Sequence, residues 1–105
     1  MKFEEVLEHI NTIKYSSLWD ADEYLEYDLE VMACDEGLDV DKHRWYESST
    51  NVYPIGNRFL GVRGVSHCYS EMSDASDYMC TTEAFEMEEI KTVMYIKKKE
   101  TKIAD

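Results

Sequence analysis

The sequence predicts a single α+β domain in which two N-terminal helices pack on an antiparallel sheet of about four strands. Its 105 residues suffice for one domain with one hydrophobic core. Near the N-terminus apolar residues recur every three to four positions, as on one face of a helix. From position 43 onward they alternate with polar residues, as in strands. The expected parts of the single domain 1–105 are an acidic helical part over 1–42, a sheet part over 43–97 and a charged tail over 98–105.

The first helix is predicted from one apolar stripe, and Ser16 and Ser17 interrupt the pattern after it. The stripe has the i, i+3, i+4, i+7 spacing of a helix that packs on a core. Its residues are Phe3, Val6, Leu7, Ile10 and Ile13.

The second helix is predicted from Asp20, which suits an N-cap and is followed by Glu23 in the capping-box position. Gly37 would end this helix. A strand is the alternative, because apolar and acidic residues alternate around position 29, but the caps and the longer period favour the helix. The predicted inner face consists of Leu18, Ala21, Leu25, Leu29 and Met32, and the strand alternative rests on Tyr27, Leu29 and Val31 alternating with Asp28 and Glu30.

Four strands are predicted in the second part of the chain. The first is rich in aromatic, Val and Thr residues and ends at Pro54, and Gly56-Asn57 forms the turn to the second. A polar loop over 70–78 precedes the third strand. The predicted strands cover 43–53, 58–65, 83–88 and 92–97.

Net charge restricts the function classes. With 23 acidic and 11 basic residues the formal charge is −12, which argues against direct binding to nucleic acid or to an anionic membrane. No apolar run is long enough to span a bilayer, and the acidic start does not resemble a secretory signal. Cys34, Cys68 and Cys80 form no C-x-x-C pair, so we expect reduced, buried thiols and a cytoplasmic protein.

The acidic residues are segregated along the chain. Residues 20–41 contain ten carboxylates and no Lys or Arg. Like charges at i, i+4 destabilise a helix, so an unrelieved acidic face indicates a surface that binds a basic partner. A solvated face on a highly soluble protein is the alternative. The candidate partner-binding residues are Asp20, Asp22, Glu23, Tyr24, Glu26, Tyr27 and Glu30 on the second helix, Asp35, Glu36, Asp39 and Asp41 after it, and Glu71, Asp74 and Asp77 in the polar loop.

The aromatic residues divide into two groups. Tyr24 and Tyr27 lie beside the acidic face, where carboxylates and aromatic rings together suit recognition of arginine. Trp45, Tyr53 and Tyr95 are expected to pack between the helices and the sheet.

Catalytic and metal-binding motifs are not found in the sequence. The His and Cys residues lack the paired spacing of a structural zinc site, and there is no nucleophile elbow, phosphate-binding loop or H-E-x-x-H. We therefore expect a binding protein without a cofactor rather than an enzyme.

A resemblance adds context to the second part of the chain, residues 44–99. The runs Arg44-Trp45-Tyr46 and Phe59-Leu60-Gly61-Val62-Arg63-Gly64-Val65, with Glu83-Ala84-Phe85-Glu86-Met87-Glu88-Glu89, resemble small acidic proteins encoded by phages and prophages of Gram-positive bacteria. Such proteins include anti-CRISPR inhibitors, several of which occupy the DNA-binding surface of an effector nuclease. The acidic segment 20–41 lies outside the matching stretch, so its assignment as the binding surface rests on charge.

The sequence therefore predicts a phage-type inhibitor or modulator that binds a basic, nucleic-acid-handling protein, such as a CRISPR effector nuclease, through an acidic and partly DNA-mimicking surface. An immunity or antitoxin protein that neutralises a basic nuclease is one alternative. A phage structural protein that self-associates through its sheet is another.

Overall fold

A computed structural model of the protein describes residues 2–69, 81–90 and 95. Within these residues two N-terminal helices accompany a four-stranded antiparallel sheet of strand order β1-β2-β3-β4, which confirms the predicted α+β class. The elements are α1 (Phe3–Ile13), α2 (Leu18–Glu23), a π-helical turn (Tyr24–Asp28), β1 (Asp35–Lys42), β2 (Tyr46–Ile55), β3 (Arg58–Cys68) and β4 (Glu83–Met87).

Helix α1 follows its predicted apolar stripe. Phe3, Val6 and Ile10 are buried in the core, whereas Ile13 at the end of the stripe is 54% exposed. The helix ends at Lys14, which takes a left-handed conformation and donates its backbone N–H to the Ile10 carbonyl.

The N-cap of helix α2 lies three residues earlier than predicted. Ser17, not Asp20, is the N-cap, and the Ser17 hydroxyl accepts the backbone N–H of Asp20. The prediction of Asp20 as N-cap with Glu23 as its capping-box partner is therefore wrong. The Asp20 carboxylate instead accepts a hydrogen bond from the Ser16 hydroxyl, so this serine pair begins the second helix as well as separating it from α1.

The helix prediction for residues 29–37 is wrong, and so is the strand alternative around position 29. The π-helical turn ends at Asp28, Glu30 adopts a left-handed conformation, and the Val31 N–H closes the turn on the Leu25 carbonyl. Val31 is buried, whereas Met32 is 69% exposed and does not lie on an inner face. A single left-handed residue turns the chain out of the helix long before Gly37.

Strand β1 was not predicted, because its sequence DEGLDVDK carries four carboxylates and few residues of high strand propensity. The segment is a strand because it pairs with β2, an interaction that its own sequence pattern does not predict. The strand is irregular, with two register shifts and positive φ angles at Gly37 and Asp39. Arg63 of β3 holds it in place by donating to the Asp39 carbonyl and to the Asp41 carboxylate.

The β2–β3 hairpin has the predicted turn at Gly56-Asn57, with Gly56 at a φ of 64°. Strand β2 begins later than predicted and passes through Pro54, and β3 continues to Cys68 rather than to Val65. Strand β4 agrees with the third predicted strand. The polar loop over 70–78 lies outside the described residues, as does the predicted strand over 92–97 except Tyr95, which is exposed.

The core lies between the helices and one face of the sheet. Ile10, Leu25, Tyr53, Leu60 and Val62 are fully buried there. None of the helices in the described part of the chain is long and apolar enough to cross a membrane.

Arg58 ties α1 to the sheet at the edge of this core. Its guanidinium makes a two-pronged ion pair with Glu86 of β4, at 2.7 and 2.9 Å, and a further ion pair with Glu4 of α1. The same guanidinium lies over the Phe3 ring, 4.0 Å from its centroid. The hydrogen bonds from Arg58 lower the pKa of both carboxyl groups and raise the pKa of the guanidinium.

We expect this contact to make the fold sensitive to acid. A carboxyl whose pKa is lowered by folding stabilises the fold above its unfolded-state pKa and loses that effect as the pH falls. Replacing Arg58 with Met should therefore lower the melting temperature by a few degrees at pH 7 and by much less at pH 3. Thermal unfolding followed by circular dichroism across this pH range measures the difference, with Arg58→Lys as the control that keeps the charge but not the two-pronged geometry. An equal loss for Arg58→Met at both pH values would contradict the ion-pair explanation.

Candidate protein-binding groove between the second helix and the sheet

The helices cover only part of one sheet face. Helix α1 packs on β3 and β4, and α2 packs on β3, so the β1 side of this face is left open. Between α2 and the open strands lies a groove of about 430 Å³. Helix α2 and strands β1, β2 and β3 all contribute residues to its lining. The charged, polar and apolar side chains discussed below are Trp19, Asp22, Glu36, Val40, Glu47 and Ser49.

The groove carries three carboxylates and no positive charge. Asp22 comes from α2, Glu36 from β1 and Glu47 from β2, and no Lys, Arg or His is found among the described residues that line it. The two acidic segments of the sequence, on the helix and after it, therefore meet across this groove through Asp22 and Glu36.

Asp22 is fixed in place by the sheet. The hydroxyl of the fully buried Tyr53 donates to its Oδ1 at 2.7 Å. Burial and this hydrogen bond raise the pKa of Tyr53 well above its usual 10. Asp22 also lines the groove and is partly buried.

Two exposed apolar side chains lie beside the carboxylates. Trp19 on α2 and Val40 on β1 are each 47% exposed, although both line the groove. A large aromatic surface beside unpaired carboxylates suits a partner group that is both cationic and flat.

Glu47 is held at the other end of the groove. The Tyr69 hydroxyl donates to its carboxylate, which raises the pKa of Tyr69. The ammonium of Lys42 lies 4.0 Å from the same carboxylate but is itself largely exposed. Its charge is therefore screened by water and weakly coupled to Glu47.

The remaining predicted site residues are distributed around the groove rather than within it. Because the helix ends at Asp28, the predicted continuous acidic face from Asp22 to Glu30 is not formed. Asp35 points to the opposite face of the sheet beside Leu38 and Val52, and Asp41 is in an ion pair with Arg63. In the helical segment, Glu23, Tyr27 and Glu30 are exposed, whereas Asp20, Tyr24 and Glu26 are partly buried. Asp39 is exposed on β1. The three acidic residues of the predicted polar loop, Glu71, Asp74 and Asp77, lie outside the described residues.

Sequence reasoning missed Trp19, Glu47 and Ser49 as groove residues. The sequence gives one indication for Trp19: it lies off the apolar stripe of its own helix, so its large side chain is expected to be exposed. Glu47 and Ser49 carried none, because their position in the groove depends on how β2 pairs with β1.

Tyr24 instead belongs to an aromatic cluster with His9 of α1 and Tyr15. Its ring stacks on His9 with centroids 4.1 Å apart, and Tyr15 donates to or accepts from the same histidine at 2.9 Å. Burial raises the pKa of both tyrosines.

Other expectations for single residues are corrected. Tyr53 packs between the helices and the sheet as predicted, but Trp45 and Tyr95 are exposed. Cys34 is exposed rather than buried, Cys68 is partly buried, and Cys80 lies outside the described residues. No group of His, Cys, Asp and Glu side chains in the described ranges is arranged to hold a metal ion.

Comparison of the chain with protein-family models, with curated proteins and with solved structures gave no match.

Proposed function

We propose that this protein is an inhibitor or modulator that binds a basic, nucleic-acid-handling protein through the acidic surface formed by α2, the π-helical turn and β1. The resemblance to small acidic phage proteins makes a CRISPR effector nuclease the first partner class to test. The carboxylates would occupy a Lys- and Arg-lined channel of the partner that otherwise holds nucleic acid.

One observation carries this proposal. Of the ten carboxylates between Asp20 and Asp41, only Asp41 is in an ion pair with a Lys or Arg of the described residues. Arg58 of β3 is paired with Glu4 and Glu86 instead. Concentrating unpaired negative charge costs stability through repulsion, and a basic partner relieves that cost on binding.

Self-association through the sheet is less well supported at the β1 edge. Four exposed carboxylates and two register shifts along β1 are the features by which proteins prevent one edge strand from pairing with another. A second copy would bring these like charges together.

The test is a charge reversal on the outside of the helical segment. We expect Glu23→Lys, Asp28→Lys and Glu30→Lys together to weaken binding to a guide-loaded effector nuclease by roughly 30-fold, mainly through slower association. All three residues are exposed, so the fold should be retained. Interferometry at two salt concentrations, with and without competing duplex DNA, measures the affinity.

The matched control reverses three exposed carboxylates at the far end of the sheet, Glu83, Glu88 and Glu89, with the same change in net charge. Its affinity should fall less than about threefold, because at this end of the sheet the substitutions change only the overall charge. If both variants lost affinity equally, the acidic surface would not be the binding interface and would contribute only to solubility. Absence of binding by the native chain to the effector and to basic nucleases of other types would overturn the proposal.

A further inference from the structure

We propose that the outer face of the sheet, opposite the helices, is a docking surface for residues 91–99 of the same chain. The apolar run 93–96 would contact the sheet, and the lysines that flank it would contact carboxylates at the rim. This inference goes beyond the proposed function, because it assigns an occupant to a face that the proposed function does not use.

A second apolar cluster lies on this outer face. Val52, Gly61 and Phe85 are paired across β2, β3 and β4, and directly opposed residues of antiparallel strands share a face. Phe59 and Met87 form the next pair on the same face, two residues along each strand. None of these residues belongs to the core cluster between the helices and the sheet. The sheet is therefore apolar on both sides.

The outer cluster borders an open groove of about 410 Å³. Leu38 and Val52 line it from β1 and β2, and Phe59 and Met87 line it from β3 and β4. Val52 is buried, but Leu38, Phe59 and Met87 are only partly buried among the described residues. A contiguous apolar surface of this kind indicates an interaction site.

The rim of the groove is acidic. Asp35, Glu88 and Glu89 contribute to the lining, and no Lys, Arg or His does so in the part of the chain that the structure describes. All three carboxylates are exposed, and none of them forms an ion pair with a described residue. An occupant that combines apolar side chains with positive charge would complement this surface.

Residues 91–99 have that composition and follow directly from the groove. Ile90 lines the groove and is 77% exposed, and the chain continues from it as KTVMYIKKK, four apolar residues flanked by four lysines. Apart from Tyr95 these residues lie outside the described ones. Nine extended residues reach about 30 Å, whereas four paired strands are about 15 Å across. The segment is thus long enough to cross the outer face from β4 to β1.

Covalent linkage favours this occupant over a separate molecule. A segment joined to the groove by a short linker has an effective concentration in the millimolar range. A second copy would instead bring its own formal charge of −12. The 94% exposure of Tyr95 fits an extended segment in which the alternate residues, Met94 and Ile96, contact the sheet.

The first test places a nitroxide spin label at position 101 of the full chain. The label is attached to Thr101→Cys in a background with Cys34→Ser, Cys68→Ser and Cys80→Ser. We expect the label to weaken the NMR signals of the Leu38 and Val52 backbone amides at least about twofold relative to the reduced label, because a tethered ligand is bound most of the time. The amides of Glu8 and Thr12, on the exposed side of α1, should change much less.

Matched variants test which residues of the segment make the contact. Met94→Asp with Ile96→Asp should abolish the weakening at the outer face, because it places two charges against apolar side chains. Val93→Asp with Tyr95→Asp adds the same charge at the alternate positions and should retain most of the weakening. Equal effects of the two double variants would contradict the proposed contact.

A second pair of variants tests the acidic rim. Glu88→Gln with Glu89→Gln should reduce the weakening at the outer face, because it removes charge complementarity at the groove. Glu23→Gln with Glu30→Gln removes the same charge from exposed positions of the helical segment and should leave the weakening unchanged.

A mixed sample distinguishes the chain's own segment from a second copy. It contains spin-labelled chain without isotope and isotope-labelled chain without the nitroxide. Weakening at Leu38 and Val52 in this sample would mean that a second copy occupies the outer face, and it would overturn the proposal. Absence of weakening within the spin-labelled chain, or equal weakening at α1 and at the outer face, would overturn it as well.

Discussion

Replacing Tyr53 with Ala is expected to reduce the free energy of unfolding by about 3–5 kcal/mol. The Tyr53 ring is fully buried between α2 and the sheet, in the same core as Leu25 and Leu60. Truncation would leave a cavity at the centre of the molecule and would also remove the hydrogen bond to Asp22. Both losses act at the junction that positions one wall of the groove.

The Tyr53→Phe variant separates the two contributions. It keeps the ring and leaves Oδ1 of Asp22 without its donor, which should cost roughly 1–3 kcal/mol. Urea unfolding followed by fluorescence measures both variants, and the Phe variant remains informative if the Ala variant does not fold. If Tyr53→Phe reduced the free energy of unfolding as much as Tyr53→Ala, packing of the ring would not be the larger contribution of Tyr53 to stability.

The pH dependence gives an additional check. The pKa of Tyr53 is raised in the folded protein, so its contribution is fully present below pH 10 and is lost as the pH rises above that value, where the unfolded chain loses the hydroxyl proton and the folded chain does not. Tyr53→Phe should therefore reduce the alkaline loss of stability. It should not abolish that loss, because burial also raises the pKa of Tyr15 and Tyr24.

The sequence was sufficient for the elements that have a strong period. The stripe from Phe3 to Ile10 predicted α1, and the Gly56-Asn57 turn between two β-rich runs predicted the central hairpin. In each of these cases the local pattern and the tertiary contacts favour the same structure.

The sequence was not sufficient where tertiary contacts decide the conformation. Strand β1 has the composition of an acidic loop, and it is a strand because β2 offers a free edge and Arg63 anchors the carboxylate of Asp41. The helical spacing of apolar residues continues past Glu30 in the sequence. In the structure, however, Glu30 adopts a left-handed conformation, and Val31 after it is buried in the core. Neither effect can be read from spacing, since both depend on residues distant in the chain.

The candidate site divides in the same way. The excess of carboxylates between Asp20 and Asp41 was visible in the composition, and this surface is where the groove lies. Which carboxylates meet there was not visible, because a residue on β1 faces the groove or the opposite side according to register. Glu36 and Asp35 are neighbours in sequence and lie on opposite faces.

The other large effect is expected at Gly64, in the middle of β3. A Cβ at this position would lie 2.7 Å from Cγ2 of Thr82 and 3.6 Å from Leu18, the first residue of α2. Thr82 is buried, and its backbone N–H donates to the Tyr15 carbonyl between the helices, so its methyl group cannot easily move aside. Gly64→Ala should therefore cost about 3 kcal/mol, at the upper end of the usual range for overpacking.

A second substitution tests whether that steric contact is the cause. Thr82→Ser removes Cγ2, so the double variant Gly64→Ala with Thr82→Ser should recover much of the stability lost in Gly64→Ala, as a non-additive term in a double-mutant cycle. Gly61→Ala is the control on the same strand: its Cβ would lie 2.5 Å from Cε2 of Phe85 and 2.6 Å from Sδ of Met87, but both atoms belong to the outer parts of partly exposed side chains that can rotate. We expect the smaller loss at Gly61. Simply additive effects of Gly64→Ala and Thr82→Ser would show that contact with the Thr82 methyl group is not what excludes a larger residue at position 64.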